Sequence, residues 1–267
     1  MLTNFHTHTT FCDGKGTPEE VVKAAIAEGF DAIGFSGHGY TEYDLRYCMK
    51  DVIGYIREIV RLREAYRSKI EIYLGIEEDS RHINNRADFD YIIGSCHYAV
   101  ARDGQVSPID SNYDYFNESL SFFGGDELLL AEEYYSHFTS YINKYKPDII
   151  GHFDLITKFD EKEKMRFLEN EDYWKIAEKY TEEAMKSGSF FEVNTGLITR
   201  GYRTTPCPHE RLLRIIYKGG GGVVLSSDSH SPDTLSSNFE LAKAILRDVG
   251  FNYTYSLKGG KWVKNYI

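Results

Sequence analysis

Long apolar runs are missing from this sequence of 267 residues, although 42% of its residues are hydrophobic. A membrane-spanning helix needs about 20 consecutive apolar residues, and no stretch of the chain approaches that length. The first residues also lack the basic region and apolar segment of a signal peptide, since His6 and His8 follow almost at once. We therefore expect a protein with no membrane partner, a cytoplasmic location and enough apolar side chains for a sizeable core.

Cysteine and basic residues are both scarce. The four cysteines are far apart in the chain: Cys12, Cys48, Cys96 and Cys207. Their spacing matches neither a zinc ribbon nor a redox dithiol, so we expect ordinary reduced thiols. The chain has 31 lysines and arginines against 41 acidic residues, which gives a net charge of -10. Because binding to a phosphate backbone depends on basic surface, this balance argues against a nucleic-acid partner and favours a small-molecule substrate.

Short apolar segments alternate with helical patterns along the whole chain. Seven segments have the length and composition of buried strands: Leu2–Phe5, Ala32–Phe35, Ile70–Ile76, Tyr91–Gly94, Asp148–Gly151, Phe190–Asn194 and Val223–Ser226. Helices are predicted between them, at about 17–29, 51–66, 127–145, 171–187 and 208–218. Such alternation predicts parallel strands joined by right-handed crossovers, in a single domain over residues 1–267.

Histidines and carboxylates recur just after these predicted strands. The set comprises nine side chains: His6, His8, Asp13, His38, Glu77, His97, His152, Asp228 and His230. His6 and His8 are two residues apart in extended backbone, so both rings project to the same side and can hold one ion. Asp228 and His230 share this spacing. Imidazole nitrogen and carboxylate oxygen are ligands that Zn, Mn and Fe accept, so the repetition predicts a metal centre with several ions.

The number of strand ends that carry these residues bears on the fold. Residues from six strand ends can meet only if the strands surround the site, whereas an open sheet offers one crevice. We therefore predict an α/β fold, a distorted (β/α)7 TIM-like barrel. The stretch Ala101–Gly125 has no clear period and is predicted to be a long loop over the barrel mouth. The segment Tyr253–Val263 has the pattern of a small hairpin around Gly259-Gly260.

Two segments resemble the polymerase-and-histidinol-phosphatase (PHP) family: Phe5-His6-Thr7-His8-Thr9-Thr10-Phe11-Cys12-Asp13-Gly14 and Gly34-Phe35-Ser36-Gly37-His38. The similarity extends over essentially the whole chain, and it implies a distorted seven-stranded barrel that holds three divalent metal ions. The first ion would then be bound by His6, His8, Glu77 and Asp228. Glu77 would bridge to a second ion, which His97 and His152 also hold. The third ion would be bound by Asp13, His38 and His230.

Within that family, the opening and spacing most resemble the histidinol-phosphatase branch, whose members hydrolyse L-histidinol phosphate in histidine biosynthesis. The resemblance thus implies a phosphomonoesterase, and we expect a metal-bridging hydroxide to attack phosphorus directly. Asp228 is expected to shuttle a proton in addition to binding metal. Lys158, six residues past His152, and Arg200, six residues past Asn194, are candidates for phosphate binding. Glu42 is a candidate partner for the substrate's amine or imidazole.

Other functions are compatible with the same residues. The cluster would also suit a PHP phosphodiesterase or nuclease, a barrel amidohydrolase, or a metal-binding regulator without turnover. Glu77 in the bridging position argues against an amidohydrolase, in which a modified lysine often bridges the ions. The remaining histidines, His82, His137 and His209, lie in charged or helical surroundings that favour surface or capping roles. The pattern sets no oligomeric state.

Overall fold

The computed structural model describes residues 1–101, 103–163 and 166–267. Its strands are, in chain order, β1 (Thr3–Asn4), β2 (Ala32–Phe35), β3 (Glu71–Asp79), β4 (Tyr91–Ser95), β5 (Tyr98–Val100), β6 (Val106–Pro108), β7 (Ile149–Ile150), β8 (Phe190–Asn194), β9 (Val223–Ser226), β10 (Tyr253–Lys258) and β11 (Lys261–Tyr266). Its helices are α1 (Pro18–Ala27), α2 (Val52–Tyr66), α3 (Tyr113–Ser121), α4 (Glu127–Tyr145), α5 (Glu171–Met185), α6 (Gly196–Thr199), α7 (Glu210–Lys218) and α8 (Phe239–Val249). No helix among the described residues is both long and apolar enough to cross a membrane.

Seven strands form one parallel sheet in the order β1-β2-β3-β4-β7-β8-β9. Its two outer strands meet beyond their ends, where Thr7 and Ser229 form a parallel bridge. The amide of His8 donates to the carbonyl of Ser229 at 2.8 Å, and the amide of Ser229 donates to the carbonyl of His6 at 3.1 Å. This short seam closes the sheet, so the predicted (β/α)7 barrel is confirmed.

Large apolar side chains fill the interior of the barrel, among them Phe5, Tyr91 and Ile93. The hydroxyl of Tyr91 donates to the carbonyl of Phe5 at 2.6 Å, which satisfies its only polar group inside the core. Gly34 and Gly75 lie against the same ring, and a Cβ atom at either position would collide with Tyr91. The two glycines therefore make room for the ring of Tyr91 in the core.

The helices surround the barrel because local signals begin them and apolar faces bury them. Thr17 and Glu20 form a capping box at the start of α1, with Pro18 in its first turn. Asp51 caps α2 by accepting from the amide of Gly54 at 2.8 Å. Helices α1 and α2 pack together in one apolar core. Helices α4, α5, α7 and α8 contribute to a second, larger core.

The predicted loop over 101–125 is only partly correct. Strands β5 and β6 form an antiparallel hairpin at its start, and α3 follows, capped by Asn112, which accepts from the amide of Tyr115. The strands are too short for a period to show in the sequence, and α3 alternates polar and apolar residues irregularly. Arg102 lies outside the described residues. Helices α6 and α8 were also not predicted, although Phe239, Ala242, Leu246 and Val249 form a buried helical face on α8.

The hairpin predicted near the end of the chain is formed by β10 and β11. Its Trp262 ring packs edge-on against Phe5, with ring centroids 5.8 Å apart, and lies 5.1 Å from Phe190. The amide of Gly259 donates to the Glu71 carboxylate at the first residue of β3. This hairpin therefore covers the amino ends of the barrel strands and leaves their carboxyl ends free for a site.

Candidate metal centre

The carboxyl ends of the strands carry all nine predicted ligands. His6 and His8 follow β1, His38 follows β2, Glu77 lies in β3, His97 follows β4, His152 follows β7, and Asp228 and His230 follow β9. Asp13 comes from the loop between β1 and α1. The structure brings these side chains into one continuous cluster of contacts between imidazole nitrogens and carboxylate oxygens.

The carboxylate of Glu77 lies at the middle of this cluster and is 1% exposed. Its Oε1 atom lies 2.9 Å from Nε2 of His152 and 3.3 Å from Nε2 of His97. Its Oε2 atom faces three other rings, at 2.8 Å from His38, 3.3 Å from His6 and 3.6 Å from His8. Each oxygen thus faces a different set of imidazoles, which is the arrangement that a carboxylate bridging two ions requires.

A second group of side chains surrounds Asp13 near the surface of the site. Oδ2 of Asp13 lies 3.2 Å from Nε2 of His230, and its Oδ1 lies 3.7 Å from Nε2 of His38. The rings of His8 and His230 stack at 4.0 Å between centroids and 18° between planes. Imidazole rings at this separation, next to a carboxylate, offer nitrogen and oxygen ligands to a single cation.

Asp228 connects the cluster to a cationic side chain. Its Oδ1 lies 3.1 Å from Nε2 of His8 and 3.6 Å from Nε2 of His6, while its Oδ2 accepts from Nη2 of Arg200 at 2.8 Å. Arg200 also donates to the backbone carbonyl of Asp228 at 3.0 Å. The backbone of Asp228 has a φ of 49°, a left-handed conformation that aspartate tolerates better than most residues. Arginine thereby fixes one oxygen and leaves the other to the histidines.

Burial and charge act against each other throughout the cluster. Burial favours neutral His6, but the carboxylates of Glu192 and Glu77 outweigh burial and raise the pKa of His6 well above its usual value. Burial likewise disfavours ionised Glu77, yet the imidazoles of His38 and His6 lower its pKa well below the usual range. Burial and neighbouring imidazoles lower the pKa of His8 to about 3. The cluster therefore combines ionised carboxylates with a neutral ring.

The donor atoms fit a metal site by geometry and by their lack of other partners. Four groups of three or four donors lie within 4.8 Å of one another: His8, Asp13, His38 and His230; His6, His8 and Asp228; His6, Glu77 and His152; His38, Glu77 and His97. Ligands that bind one zinc ion at about 2.1 Å lie roughly 3–3.5 Å apart, as many of these atoms do. Among the described residues, His6 Nε2, His8 Nε2, Asp13 Oδ1 and Glu77 Oε2 are buried without a hydrogen-bond partner.

Two carboxylates outside the predicted ligand set contact the Nδ1 atoms of two candidate ligands, His6 and His97. Oε1 of Glu192, in β8, lies 2.5 Å from Nδ1 of His6. Oδ2 of Asp79, at the end of β3, lies 3.2 Å from Nδ1 of His97. Such contacts set the tautomer and orientation of a histidine that binds metal through its other nitrogen. A charged residue within the apolar strand Phe190–Asn194 was a signal in the sequence that could have identified Glu192.

A cavity of about 230 Å³ opens above the cluster. Lys158 and Arg200, the predicted phosphate ligands, both line it, whereas Glu42 is exposed and lies outside its lining. Asp44, two residues later in the same loop, lines the cavity in its place. The structure therefore brings both cations to the site and does not bring Glu42 there.

Comparison with known proteins agrees with this geometry. The model of the PHP domain family matches residues 4–196 of the chain, which covers most of the barrel and seven of the nine candidate ligands. The chain belongs to the PHP domain family. The resemblance seen in the sequence is thereby confirmed.

Three proteins that this PHP protein resembles match it over nine tenths or more of both chains. A protein named probable histidinol-phosphatase from Schizosaccharomyces pombe is 28% identical, over 97% of this chain and 90% of its own. A crystal structure of a candidate histidinol phosphatase from Listeria monocytogenes matches with a TM-score of 0.76 at 20% identity, over 90% of this chain and 99% of its own. Histidinol phosphate phosphatase from Lactococcus lactis, complexed with zinc, L-histidinol and phosphate, matches with a TM-score of 0.72 at 20% identity, over 98% and 99%.

The three histidines excluded from the ligand set of this PHP domain lie outside the four donor groups among the described residues. His82 packs against the ring of Tyr40, with 5.3 Å between centroids. His137 contacts Ser80, with 3.0 Å between Nε2 and Oγ. His209 caps α7 by accepting from the amide of Arg211 at 3.1 Å, which is the capping role expected of it.

Proposed function

We propose that this PHP protein is a metal-dependent phosphomonoesterase that hydrolyses L-histidinol phosphate to L-histidinol and phosphate. The observation that carries the proposal is the two-sided contact of Glu77, whose oxygens face separate sets of histidines below an open cavity. The names of the relatives support the substrate, and the complex of the Lactococcus lactis protein with zinc, L-histidinol and phosphate supports both the substrate and the metal.

The proposed cofactors are three divalent ions, zinc, manganese or iron, held by the nine side chains described above. Phosphate monoesters are so inert that their enzymes supply up to ~10²¹-fold acceleration, whereas proton transfer alone contributes about 10²- to 10⁴-fold. When bound, divalent ions in such a site lower the pKa of water, orient the phosphoryl group and neutralise charge on the leaving oxygen. The number of available donors supports several ions rather than one closed structural site.

The chain's own cations are assigned to the phosphate group. Arg200 donates two hydrogen bonds to Asp228, and the remaining N–H groups of its guanidinium are available to phosphate oxygens at the cavity wall. Lys158 lines the same cavity, and its ammonium is anchored by the backbone carbonyl of Asp110. Together the two cations would bind the equatorial phosphate oxygens and compensate the charge that builds up on them in the transition state.

Asp228 is assigned the proton transfer. Its Oδ2 is held by Arg200, so its Oδ1, which faces the histidine cluster and would also hold an ion, is the oxygen that would accept a proton from attacking water and return it to the departing alkoxide. The fixed geometry places this oxygen without rotation of the side chain. Histidines and carboxylates around it exclude most bulk water, since Asp228 is 5% exposed.

Steady-state kinetics on a substrate panel test this function. The purified protein, reconstituted with zinc, manganese or iron, would be assayed against L-histidinol phosphate, other phosphomonoesters and phosphodiesters. We expect L-histidinol phosphate to give the highest kcat/KM, with hydrolysis lost after chelation and restored by metal. A preference for diesters would instead indicate a phosphodiesterase or nuclease of the same family, and a metal-loaded protein without turnover would indicate a binding protein.

A further inference from the structure

Three carboxylates that are not candidate metal ligands also line the cavity: Asp44, Asp79 and Asp110. Asp79 is occupied, because it orients His97 and accepts from the amide of Arg81 at 2.9 Å. Asp44 is also partnered, since it accepts from the exposed guanidinium of Arg46 at 2.7 Å and 3.0 Å. Asp110 differs from both.

Among the described residues, none donates a hydrogen bond to the carboxylate of Asp110. The ammonium of Lys158 lies 4.0 Å from its Oδ2 and donates instead to the backbone carbonyl of Asp110. The side chain is 25% exposed on the cavity wall. Apart from this ion pair with Lys158, the carboxylate of Asp110 has no partner among the described residues, and it lines the cavity that a ligand would enter.

The position of Asp110 relative to the metal centre is fixed by its neighbours in the chain. Ile109 is fully buried, and its amide donates to the backbone carbonyl of His97 at 2.9 Å. On the other side, Ser111 also lines the cavity, just before Asn112 caps α3. Asp110 is thus held on a short, anchored segment between β6 and α3, not on a freely moving loop.

A carboxylate in a phosphate-binding cavity weakens substrate binding by repulsion unless the substrate carries a positive group near its phosphate. The cluster and the two cations attract any phosphate ester, and a free carboxylate disfavours those with an anionic or neutral alcohol portion. An ester whose alcohol portion carries an ammonium group binds more tightly because of the same carboxylate. Lys158 lies 4.0 Å from Asp110. Lys158 can therefore contact the phosphate of such an ester while Asp110 contacts its ammonium group, which a short carbon chain and the ester oxygen separate from the phosphate.

We propose that Asp110 is a cation-binding subsite that receives the ammonium group of an amino-alcohol phosphate and of the alcohol product. This inference rests on the proposed function for the identity of the substrate, and it assigns the discrimination among phosphate esters to a residue outside the metal centre.

The experiment compares Asp110→Asn with wild-type protein and with Asp114→Asn as a matched control. Asp114 is exposed at the start of α3, outside the cavity lining, and its replacement changes the net charge equally. Calorimetry would measure binding of L-histidinol to each metal-loaded protein in the presence of phosphate. Kinetics would compare L-histidinol phosphate with phenyl phosphate, which has no ammonium group.

We expect Asp110→Asn to weaken L-histidinol binding about tenfold and to raise KM for L-histidinol phosphate by a similar factor, as for loss of a charged hydrogen bond. The constants for phenyl phosphate should change less than about threefold, and Asp114→Asn should match wild type. Equal losses on both substrates, or unchanged L-histidinol binding, would overturn the subsite and leave the phosphatase function standing. Binding of L-histidinol that depends on Asp110 without any hydrolysis would support the subsite and reject the function.

Discussion

A single buried carboxylate, Glu192, positions two candidate metal ligands at once. Its Oε1 lies 2.5 Å from Nδ1 of His6 and accepts from Oγ of Ser226 at 2.7 Å. Its Oε2 accepts from the backbone amide of His152 at 2.8 Å and from Nδ2 of Asn194 at 2.9 Å. All four contacts are buried, so the ring of His6 and the start of the loop that carries His152 are fixed by one side chain.

We predict that Glu192→Gln lowers the affinity of the centre for zinc by about 10- to 100-fold, the usual effect of removing a partner behind a ligating histidine. Glutamine keeps the size of the side chain but removes the charge that favours a proton on Nδ1 of His6. Chelator competition and metal content would measure the change. Glu178→Gln, a change on α5 where the carboxylate pairs with Arg211, is the control and should bind zinc as wild type does. Wild-type affinity in Glu192→Gln would show that the contact serves folding alone.

His137, which binds no metal in our assignment, makes stability depend on pH. Its Nε2 lies 3.0 Å from Oγ of Ser80, and the guanidinium of Arg81 lies 3.4 Å from its Nδ1. Burial, and then the charge of Arg81, lower its pKa from 6.5 to about 4. The unfolded chain therefore binds the proton first as the pH falls, so stability from neutral His137 is complete above pH 6.5 and is lost towards pH 4.

We expect the stability advantage of wild type over His137→Gln to shrink by on the order of 1–2 kcal/mol between pH 7 and pH 4. The loss is limited to this size because the ring is partly exposed and solvent screens its charge. Urea unfolding of both proteins at several pH values gives the difference, in which contributions of other titrating groups cancel. Parallel pH dependences in the two proteins would contradict the assignment.

At the scale of elements, the sequence predicted what depends on local pattern. Short apolar runs located the seven barrel strands, and the polar residues after them located the ligands, because parallel strands place their carboxyl ends on one rim. The hairpin β5-β6 and helix α3 were missed, since three-residue strands carry no readable period. Glu192 and Asp79 were missed for another reason: their roles depend on which of their atoms faces which imidazole ring. The division of ligands among separate ions likewise depends on packing and stays a prediction.

The terminal hairpin, β10 and β11, stabilises the barrel from the end opposite the site. Trp262 contacts Phe190, the first residue of β8, and Phe5, whose ring lies in the interior of the barrel. We predict that Trp262→Ala lowers the free energy of unfolding by about 2–3 kcal/mol, as expected for a large, partly buried ring. The kcat of the folded fraction should stay near wild type, because the ring packs on Phe5 and Phe190, which are not part of the cavity lining.

Denaturant unfolding and kcat per folded molecule measure the two effects of Trp262→Ala separately. Tyr266→Ala serves as the control in the same hairpin, since this side chain is 76% exposed and should contribute within about 0.5 kcal/mol. A large fall in kcat with little change in stability would mean that the hairpin influences the site directly.

For the whole molecule, the seam that closes the barrel and the candidate metal centre occupy the same place. The closing hydrogen bonds are made by the backbones of His6, His8 and Ser229. Ser229 itself lies between Asp228 and His230, whose side chains face the histidines across the seam. Ions held by the side chains of His6, His8, Asp228 and His230 would therefore link β1 to β9 and would relieve repulsion among buried like charges. They would add to the backbone hydrogen bonds of the seam and to the two contacts of the Asn4 side chain with Ser227.

Removing metal should consequently loosen the barrel at this seam. The loss of one ion that is present at 100 times its dissociation constant lowers the free energy of unfolding by about 2.7 kcal/mol. For a chain of this size that corresponds to a fall in Tm of roughly 5–10 °C after chelation, since each kcal/mol is worth about 2–4 °C. Hydrogen exchange should increase most in residues 3–10 and 223–230 and least in β10 and β11, which pack at the other end. Uniform exchange along the chain, or an unchanged Tm in metal-free protein, would show that the barrel closes independently of its ions.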